Sequence, residues 1–412
     1  MNVLFITLIK LRSIESRSIY ADLLREFKDN GYNIYAVSPN ERRTGMDTEV
    51  VEENGAKLLH VKIGNITKCN IIEKGISTFL IESWFKAAIR KYFSDVHFDL
   101  VIYSTPPITF AGVVKYIKKR DGAKTYLMLK DIFPQNSVDL GMLSKKGIKG
   151  LIYKYFRRKE KQLYELSDKI GCMSPANADY LLKHNPDILP DSVEVFPNCI
   201  EPVDMRISQE ERIELRKKYG LPPDKKIFVY GGNLGRPQDI PFFVECLKAC
   251  EKTENIYFVI AGSGTDRHFI EEYEETEKPQ HVKLLGMLPK DEYDKMTACC
   301  DVGLIFLDHR FTIPNFPSRI LSYMEAGLPV LACTDPNTDI GKVIVQGEFG
   351  WWCESDSVIG FAEAVNQASY SDLKRLGNNA FEYLERHYSV SECYKIILKS
   401  ITGGAGFENI AN

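Results

Sequence analysis

Four apolar runs in the second half of the chain each break off at a glycine or a polar loop, and helical periodicity follows. The runs cover 226–231, 257–260, 282–285 and 302–306, with breaks at 231, 261, 286 and 307. Alternation of this kind points to a parallel sheet, because consecutive parallel strands need a crossover of about a dozen residues or more, usually a helix. Strands covered on both faces are read as such continuous apolar runs. The loops after them then share one sheet edge, where open α/β sheets bind ligands, and one extended ligand is able to touch all four.

The first half repeats the pattern. Strands are expected at 3–7, 34–37, 99–103, 125–129, 169–173 and 193–196, and helices at 17–30, 75–93, 108–119 and 175–184. Its first turn, LIKLRSIESRS, lacks the glycine fingerprint of a dinucleotide site, so NAD binding has no support. Periodicity stops at Pro197-Asn198-Cys199-Ile200-Glu201-Pro202, which marks a domain boundary. Terminal helices begin at about 382, and a frayed tail is expected from Gly403.

The stretch 313–333, IPNFPSRILSYMEAGLPVLAC, is read as a tight loop, a helix opening on Pro317 or Ser318, a stop at Gly327 and a buried strand. Ser318 is expected to cap that helix, and Arg319 adds a charge where backbone N–H groups point outward. This is either an anion-binding corner or an ordinary loop, helix and strand. After the strand at 226–231, Gly232-Asn233-Leu234-Gly235-Arg236 permits close backbone approach to a ligand, and Arg236 can pair with an oxyanion. Asp131, in the loop after the strand at 125–129, is either a polar active-site group or a turn former.

At 412 residues the chain calls for about two domains. Hydrophobic content of 44% and charged content of 26% are those of a soluble globular protein with sizeable cores. Ten cysteines with no C-x-x-C pair, several inside apolar runs, fit a reducing cytosol. The start, MNVLFITLIKLRS, has too short an apolar run for a signal peptide, and no stretch approaches the roughly 20 apolar residues that span a bilayer.

Charge is uneven. Residues 1–200 carry 30 Lys and Arg against 23 Asp and Glu, leaving 23 against 33 for the rest. The basic excess gathers at 144–166, where eight Lys and Arg face two Glu and apolar residues recur at helical spacing. Lys145, Lys146, Lys149, Lys154, Arg157 and Arg158 therefore line either a solvated helix face or one that meets an anionic membrane. Nucleic acid is disfavoured, because no recognition motif or interleaved stacking aromatics accompany the charge.

The order of motifs, DLVIYSTPP, KDIFPQ, VFPN, YGGNLGRPQD, IAGSG, VKLLGMLPKDEY and NFPSRILSYMEAGLPV, resembles the retaining glycosyltransferases of family 4 (group 1), in the branch that builds capsule and O-antigen repeat units. The resemblance covers nearly the whole chain. It implies an α/β protein of the GT-B fold, two facing Rossmann-like doubly wound domains with an interdomain cleft. Residues 1–200 would bind the acceptor, with C-terminal helices from about 385 packing back on them, and 201–384 would bind a nucleotide-sugar. The implied activity is metal-independent transfer, with retention, of a hexosyl or N-acetylhexosaminyl group to a glycan or lipid-linked acceptor. The enzyme would be cytoplasmic and peripheral on the inner face of the cell membrane, with no cofactor beyond the donor.

The resemblance further implies that the base lies near Gly286 and Met287, and the diphosphate between Gly232, Arg236 and the Ser318-Arg319 helix start. Asn233, Gly262, Asn315, Phe316 and Ser322 complete the donor residues, and Asp131, Arg236 and Arg319 are the catalytic candidates. Two departures stand out: the family's paired glutamates fall on Pro314 and Ser322. Glu325, one turn on from Ser322, is expected to be a surface or interdomain residue rather than a substitute. Two rivals follow, a GT-B sugar-nucleotide epimerase and a catalytically silent GT-B subunit that recruits partners.

Overall fold

The computed structural model describes residues 1–402, apart from the side chain at position 71, and the expected tail from Gly403 lies outside the described residues. The chain divides into two units, one of Met1–Glu201 plus the segment from Val390, the other Pro202–Ser389. Unit 1 opens with β1 (Asn2–Ile6), α1 (Ile19–Asp29), β2 (Asn33–Glu41) and a hairpin, β3 (Glu49–Glu53) and β4 (Ala56–Ile63). It continues through α2 (Ile71–Tyr92), β5 (Leu100–Ser104), α3 (Ala111–Asp121), β6 (Lys124–Leu129) and the short α4 (Gln135–Asp139). Then come α5 (Gly147–Leu166), β7 (Lys169–Cys172), α6 (Pro175–His184) and β8 (Val193–Val195). The sheet order is β3-β4-β2-β1-β5-β6-β7-β8, parallel except where β3 runs against β4. Sequence reading placed nothing at this hairpin. Its edge strand, Glu49-Val50-Val51-Glu52-Glu53, is charged and largely exposed, a composition that blunts an open edge and hides the strand from hydropathy patterns.

Unit 2 holds α7 (Gln209–Tyr219), β9 (Lys226–Asn233), α8 (Ile240–Ala249), β10 (Ile256–Ser263), α9 (His268–Glu277), β11 (Val282–Leu285) and α10 (Lys290–Ala298). After these come β12 (Val302–Phe306), α11 (Arg319–Glu325), β13 (Val330–Thr334), α12 (Ile340–Gln346), β14 (Gly350–Glu354), α13 (Val358–Ser369) and α14 (Leu373–His387). Its six parallel strands lie in the order β11-β10-β9-β12-β13-β14. The chain steps outward from β9 to β11 and then resumes on the other side with β12. The strand order therefore reverses between β9 and β12, and the crevice beyond their carboxyl ends is where such sheets hold ligands. Phe228, Phe258, Phe306 and Phe361 form the core beneath that edge, each fully buried or nearly so, and burying a side chain of this size contributes about 1.5–3 kcal/mol.

The last described helix, α15 (Val390–Thr402), returns to unit 1. The Val390 amide donates to the Ile200 carbonyl at 2.8 Å, and Tyr394 meets Phe27 edge-on at 4.9 Å between ring centres. Cys393 and Ile397, fully buried, complete its inner face. α14, in contrast, stays with unit 2.

Candidate active site

β9 ends Tyr230-Gly231-Gly232-Asn233, and Gly232 pairs in register with Gly262 of β10. Gly232 has φ +120°, a conformation open to glycine, and a Cβ there would stand 3.1 Å from Arg319 Nη2. A Cβ on Gly262 would fall 1.9 Å from the Gly232 carbonyl oxygen. Gly232 is exposed and thus presents bare backbone, whereas Gly262, expected among the donor residues, is buried and is a glycine because the neighbouring strand fills the space of its side chain. The loops beyond them interlock: the Leu234 amide donates to the Ser263 carbonyl at 3.0 Å, and the Asp266 amide to the Leu234 carbonyl at 2.9 Å.

Arg319 is the first residue of α11. Its guanidinium carbon lies 4.5 Å from the centre of the buried Tyr230 ring, a cation–π platform. Its Nη1 is enclosed without a hydrogen-bond partner, and no carboxylate among the described residues pairs with it. An enclosed cation left unpaired is costly unless something else meets it, so this is a place suited to an anion. Arg236 is exposed on the turn after β9, where no side-chain partner among the described residues engages it. Asn233 Nδ2 donates to Gln238 Oε1 at 2.7 Å, and the Asp308 amide to the Pro237 carbonyl at 3.0 Å, so the turn is tied to the end of β12. The two arginines accordingly spring from the loops on either side of the switch between β9 and β12.

Gly286 and Met287 follow β11 and are exposed, with Met287 at 73%. Sequence reading missed Arg267, which donates to the Gly262 carbonyl at 2.7 Å and to the Leu285 carbonyl at 2.8 Å. It pins the ends of β10 and β11 together. Only its place shortly after the glycine loop was visible in the sequence.

Ser318 departs from expectation: it has helical dihedrals and makes no side-chain cap bond, because the chain enters α11 already turning. Ser322 is half-buried, and no hydrogen bond among the described residues engages its hydroxyl. Glu325 is neither surface nor spare, since it is buried and its Oε1 accepts the Val203 amide at 3.1 Å. That bond braces the first residues of unit 2 against α11. Asn315 and Phe316 lie on the loop before α11, with Phe316 buried against Tyr388 at 6.0 Å.

A clamp not foreseen from the sequence holds this loop. Asn337 Nδ2 donates to the Phe311 carbonyl at 2.6 Å, and Thr338 Oγ1 donates to the Asn315 carbonyl. Asp335 shapes the clamp by accepting the amides of Asn337 and Thr338 at 2.9 and 3.0 Å, while its Oδ2 is buried without a partner. Burial pushes the Asp335 carboxyl up to about 6 from its ordinary 3.8, against the pull of the two amides. A carboxyl raised on folding lowers stability as pH climbs from 3.8 to about 6, and the full cost persists above that window. Asp335→Asn keeps an acceptor for both amides. It should therefore gain about 1–3 kcal/mol at neutral pH in urea unfolding, a gain that vanishes near about pH 4. A difference that does not change with pH would show that ionisation at 335 is not the source.

Asp239, Asp308 and His309 place ligand atoms within 4.8 Å of one another, the one such group among the described residues. The fully buried Asp308 is already gripped by Arg310, whose Nε lies 2.9 and 3.1 Å from its two oxygens.

Asp131 belongs to unit 1, whereas the other donor-site and catalytic candidates belong to unit 2. Asn136 Nδ2 donates to both its oxygens, at 2.7 and 2.9 Å, and its backbone amide donates to Thr105 Oγ1 at 3.3 Å. It thus shapes a turn, and it is also poised to titrate, for burial pushes its carboxyl up to about 6. The neighbouring Lys130, unremarked in the sequence, donates to the Pro197 carbonyl at 3.3 Å and sits 4.9 Å from the Phe196 ring centre. Burial draws its ammonium down to about 8.

One membrane-facing candidate is corrected. Arg157 is spent within the protein, paired with Glu160 and bonded to the His184 carbonyl at 3.1 Å. Lys145, Lys146, Lys149, Lys154 and Arg158 are exposed.

Known proteins share parts of this sequence and its fold. Residues 211–383 match the family described as glycosyl transferases group 1. The chain is 24% identical over 293 residues, 71% of each chain, to a Pseudomonas aeruginosa protein named as the glycosyltransferase WbjE. It is 21% identical over 333 residues, 80% of this chain and 79% of the other, to an Escherichia coli K12 protein named as the colanic acid biosynthesis glycosyl transferase WcaI. Among solved structures, Anabaena HepE in complex with UDP is similar over 98% of this chain and 100% of that one, at 13% identity and a TM-score of 0.69. The architecture is that of GT-B glycosyltransferases. Residues 211–383, which lie within unit 2, are thus similar to group 1 glycosyl transferases, and the fold is GT-B.

Proposed function

We propose that the protein is a metal-independent, retaining glycosyltransferase of the family 4 type that moves a hexosyl or N-acetylhexosaminyl group from a nucleotide-sugar to a glycan. The acceptor is taken to be a lipid-linked intermediate of surface polysaccharide, capsule or O-antigen, met at the inner face of the cell membrane. The observation that carries this is Arg319, an enclosed guanidinium without a counter-ion beside the bare backbone of Gly232. Such a corner suits a diphosphate, and HepE was solved with UDP and with UDP-glucose.

In the reaction, the bond between the sugar's anomeric carbon and the diphosphate breaks while a bond from the acceptor oxygen forms on the same face. Arg319 and Arg236 take up the charge of the leaving diphosphate, a task for fixed donors in a site that excludes water. A diphosphate oxygen receives the acceptor's proton. Gly286 and Met287 border the base, Ser322 offers the ribose one hydroxyl, and Asn315 with Phe316 lines the sugar. The absence of both family glutamates favours a second reading, a silent subunit that binds nucleotide without turnover.

The test is incubation with UDP-hexoses and UDP-N-acetylhexosamines, with and without a polyprenyl-linked glycan. UDP release that depends on acceptor, with a product of unchanged anomeric configuration by NMR, is expected. Interconversion of the donors would indicate an epimerase, and binding without turnover the silent subunit.

A further inference from the structure

The apolar residues of α5 were open to two fates, the protein's own core or a surface. Ile148, Leu151, Ile152 and Tyr155, at i, i+3, i+4 and i+7, form a stripe, and it faces outward: Ile148 is 83% exposed and Leu151 68%. The core takes the other side, through Leu163 and Tyr164. α2 does the same. Ile72, Ile76 and Phe79, at i, i+4 and i+7, are exposed at 72%, 59% and 66%, although Ile81, Phe85 and Ile89 of this helix are fully buried. The two stripes meet, with Phe79 and Tyr155 at 6.3 Å between ring centres, and Lys159 Nζ lies 3.4 Å from Glu82 Oε2 alongside.

A groove of about 750 Å³ adjoins this face, lined by Ile72, Ile76, Leu80 and Trp84 from α2, with Arg42 and Lys62 also on its wall. Ile72 and Ile76 belong to both groove and stripe, so the two are continuous. Monomeric proteins seldom leave so many large apolar side chains together in water. Glu73 on the groove wall is taken up by Arg42 at 2.6 Å, and the exposed charge around the stripes is basic: Lys145, Lys146, Lys149 and Lys154 on α5 and just before it, and Lys74 on α2.

We propose that α2 and α5 together form a two-helix wedge that inserts in an anionic lipid bilayer. The lysines meet the headgroups, the two stripes enter the acyl boundary, and the groove beside Trp84 receives a lipid chain. The complementarity of a basic rim and an apolar centre selects an anionic bilayer as the occupant over a protein partner. The proposal rests on a lipid-linked acceptor, and it adds an insertion surface on α2, a helix that the charge pattern of the sequence did not single out.

The experiment uses the full chain with vesicles of phosphatidylcholine alone and of phosphatidylcholine with phosphatidylglycerol in equal parts. Wild type should sediment with the anionic vesicles only, and its Trp emission should be quenched by brominated acyl chains. The quenched component should disappear in Trp84→Phe. Ile76→Ser with Phe79→Ser should weaken partition at least tenfold without altering its salt dependence, while Lys145→Glu with Lys146→Glu and Lys149→Glu should flatten that dependence. Equal partition of wild type and the serine pair, or emission from Trp84 that bromine leaves unchanged, would overturn the wedge. A lipid-free dimer that the serine pair dissolves would also overturn it and assign the face to a second copy. UDP affinity in solution, unchanged in every variant, keeps this outcome separate from that of the donor site.

Discussion

Arg319→Ala is expected to weaken UDP binding between about tenfold and a hundredfold by calorimetry, and to leave the melting temperature unchanged or raised. A hydrogen bond between charged groups contributes about 1.5–3 kcal/mol, and 1.4 kcal/mol is a factor of ten in affinity. The second half of the expectation comes from the free protein. Arg319 Nη1 is enclosed with no acceptor, so without ligand the guanidinium costs solvation that only the Tyr230 ring offsets in part. Removing it relieves that cost. Residues that hold a transferable anion are commonly poor for stability in just this way. Arg236→Ala, from an exposed side chain, should weaken binding less and leave the melting temperature alone. Unchanged UDP affinity in both variants would take the diphosphate away from this edge.

The largest effect on stability is expected at the opposite edge of the same sheet. Arg216, 5% exposed, donates to the carbonyls of Cys299, Pro223 and Lys225 at 2.9, 3.1 and 3.1 Å and to Asp301 Oδ2 at 2.6 Å. Asp301 in turn accepts from Arg212 at 2.8 Å and from the Ile227 amide at 2.6 Å. α7 is thereby bonded to the starts of β9 and β12. Arg216→Met preserves much of the packing but strands three carbonyls and leaves the Asp301 carboxylate only Arg212 and the Ile227 amide, which should cost about 3–5 kcal/mol in urea unfolding. Because the lesion is remote from the crevice, UDP at a hundred times its dissociation constant should restore about 2.7 kcal/mol of the loss. A loss below about 1 kcal/mol would mean that water satisfies the stranded groups.

These two sites differ in how far the sequence discloses them. The strands under the crevice were legible because burial on both faces demands uninterrupted apolar runs such as Ile227-Phe228-Val229-Tyr230. α7 was not, since the helix is dominated by charge and the one residue it buries is an arginine rather than an apolar side chain. Gly232 and Arg319 were singled out by residue type, but the stacking on Tyr230 joins positions 89 apart in the chain and has no local signature. The same holds for Asp335, whose clamp reaches back to Phe311 and Asn315. Glu325, expected at the surface or between the domains, is buried, and its bond to the Val203 amide of the boundary segment explains that burial.

The return of α15 to unit 1 bears on how the protein is made. Tyr394 and Ile397 belong to the same core as Phe5 and Phe27. A ribosome adding about 5–20 residues per second completes residues 1–201 on the order of ten seconds or more before it reaches Val390. For that interval the first-made half has an unfinished core, and the apolar flank of α1 waits uncovered. A messenger truncated anywhere in unit 2 therefore yields a chain whose earlier half is itself defective, marked for chaperones and proteases by the surface that α15 would have covered.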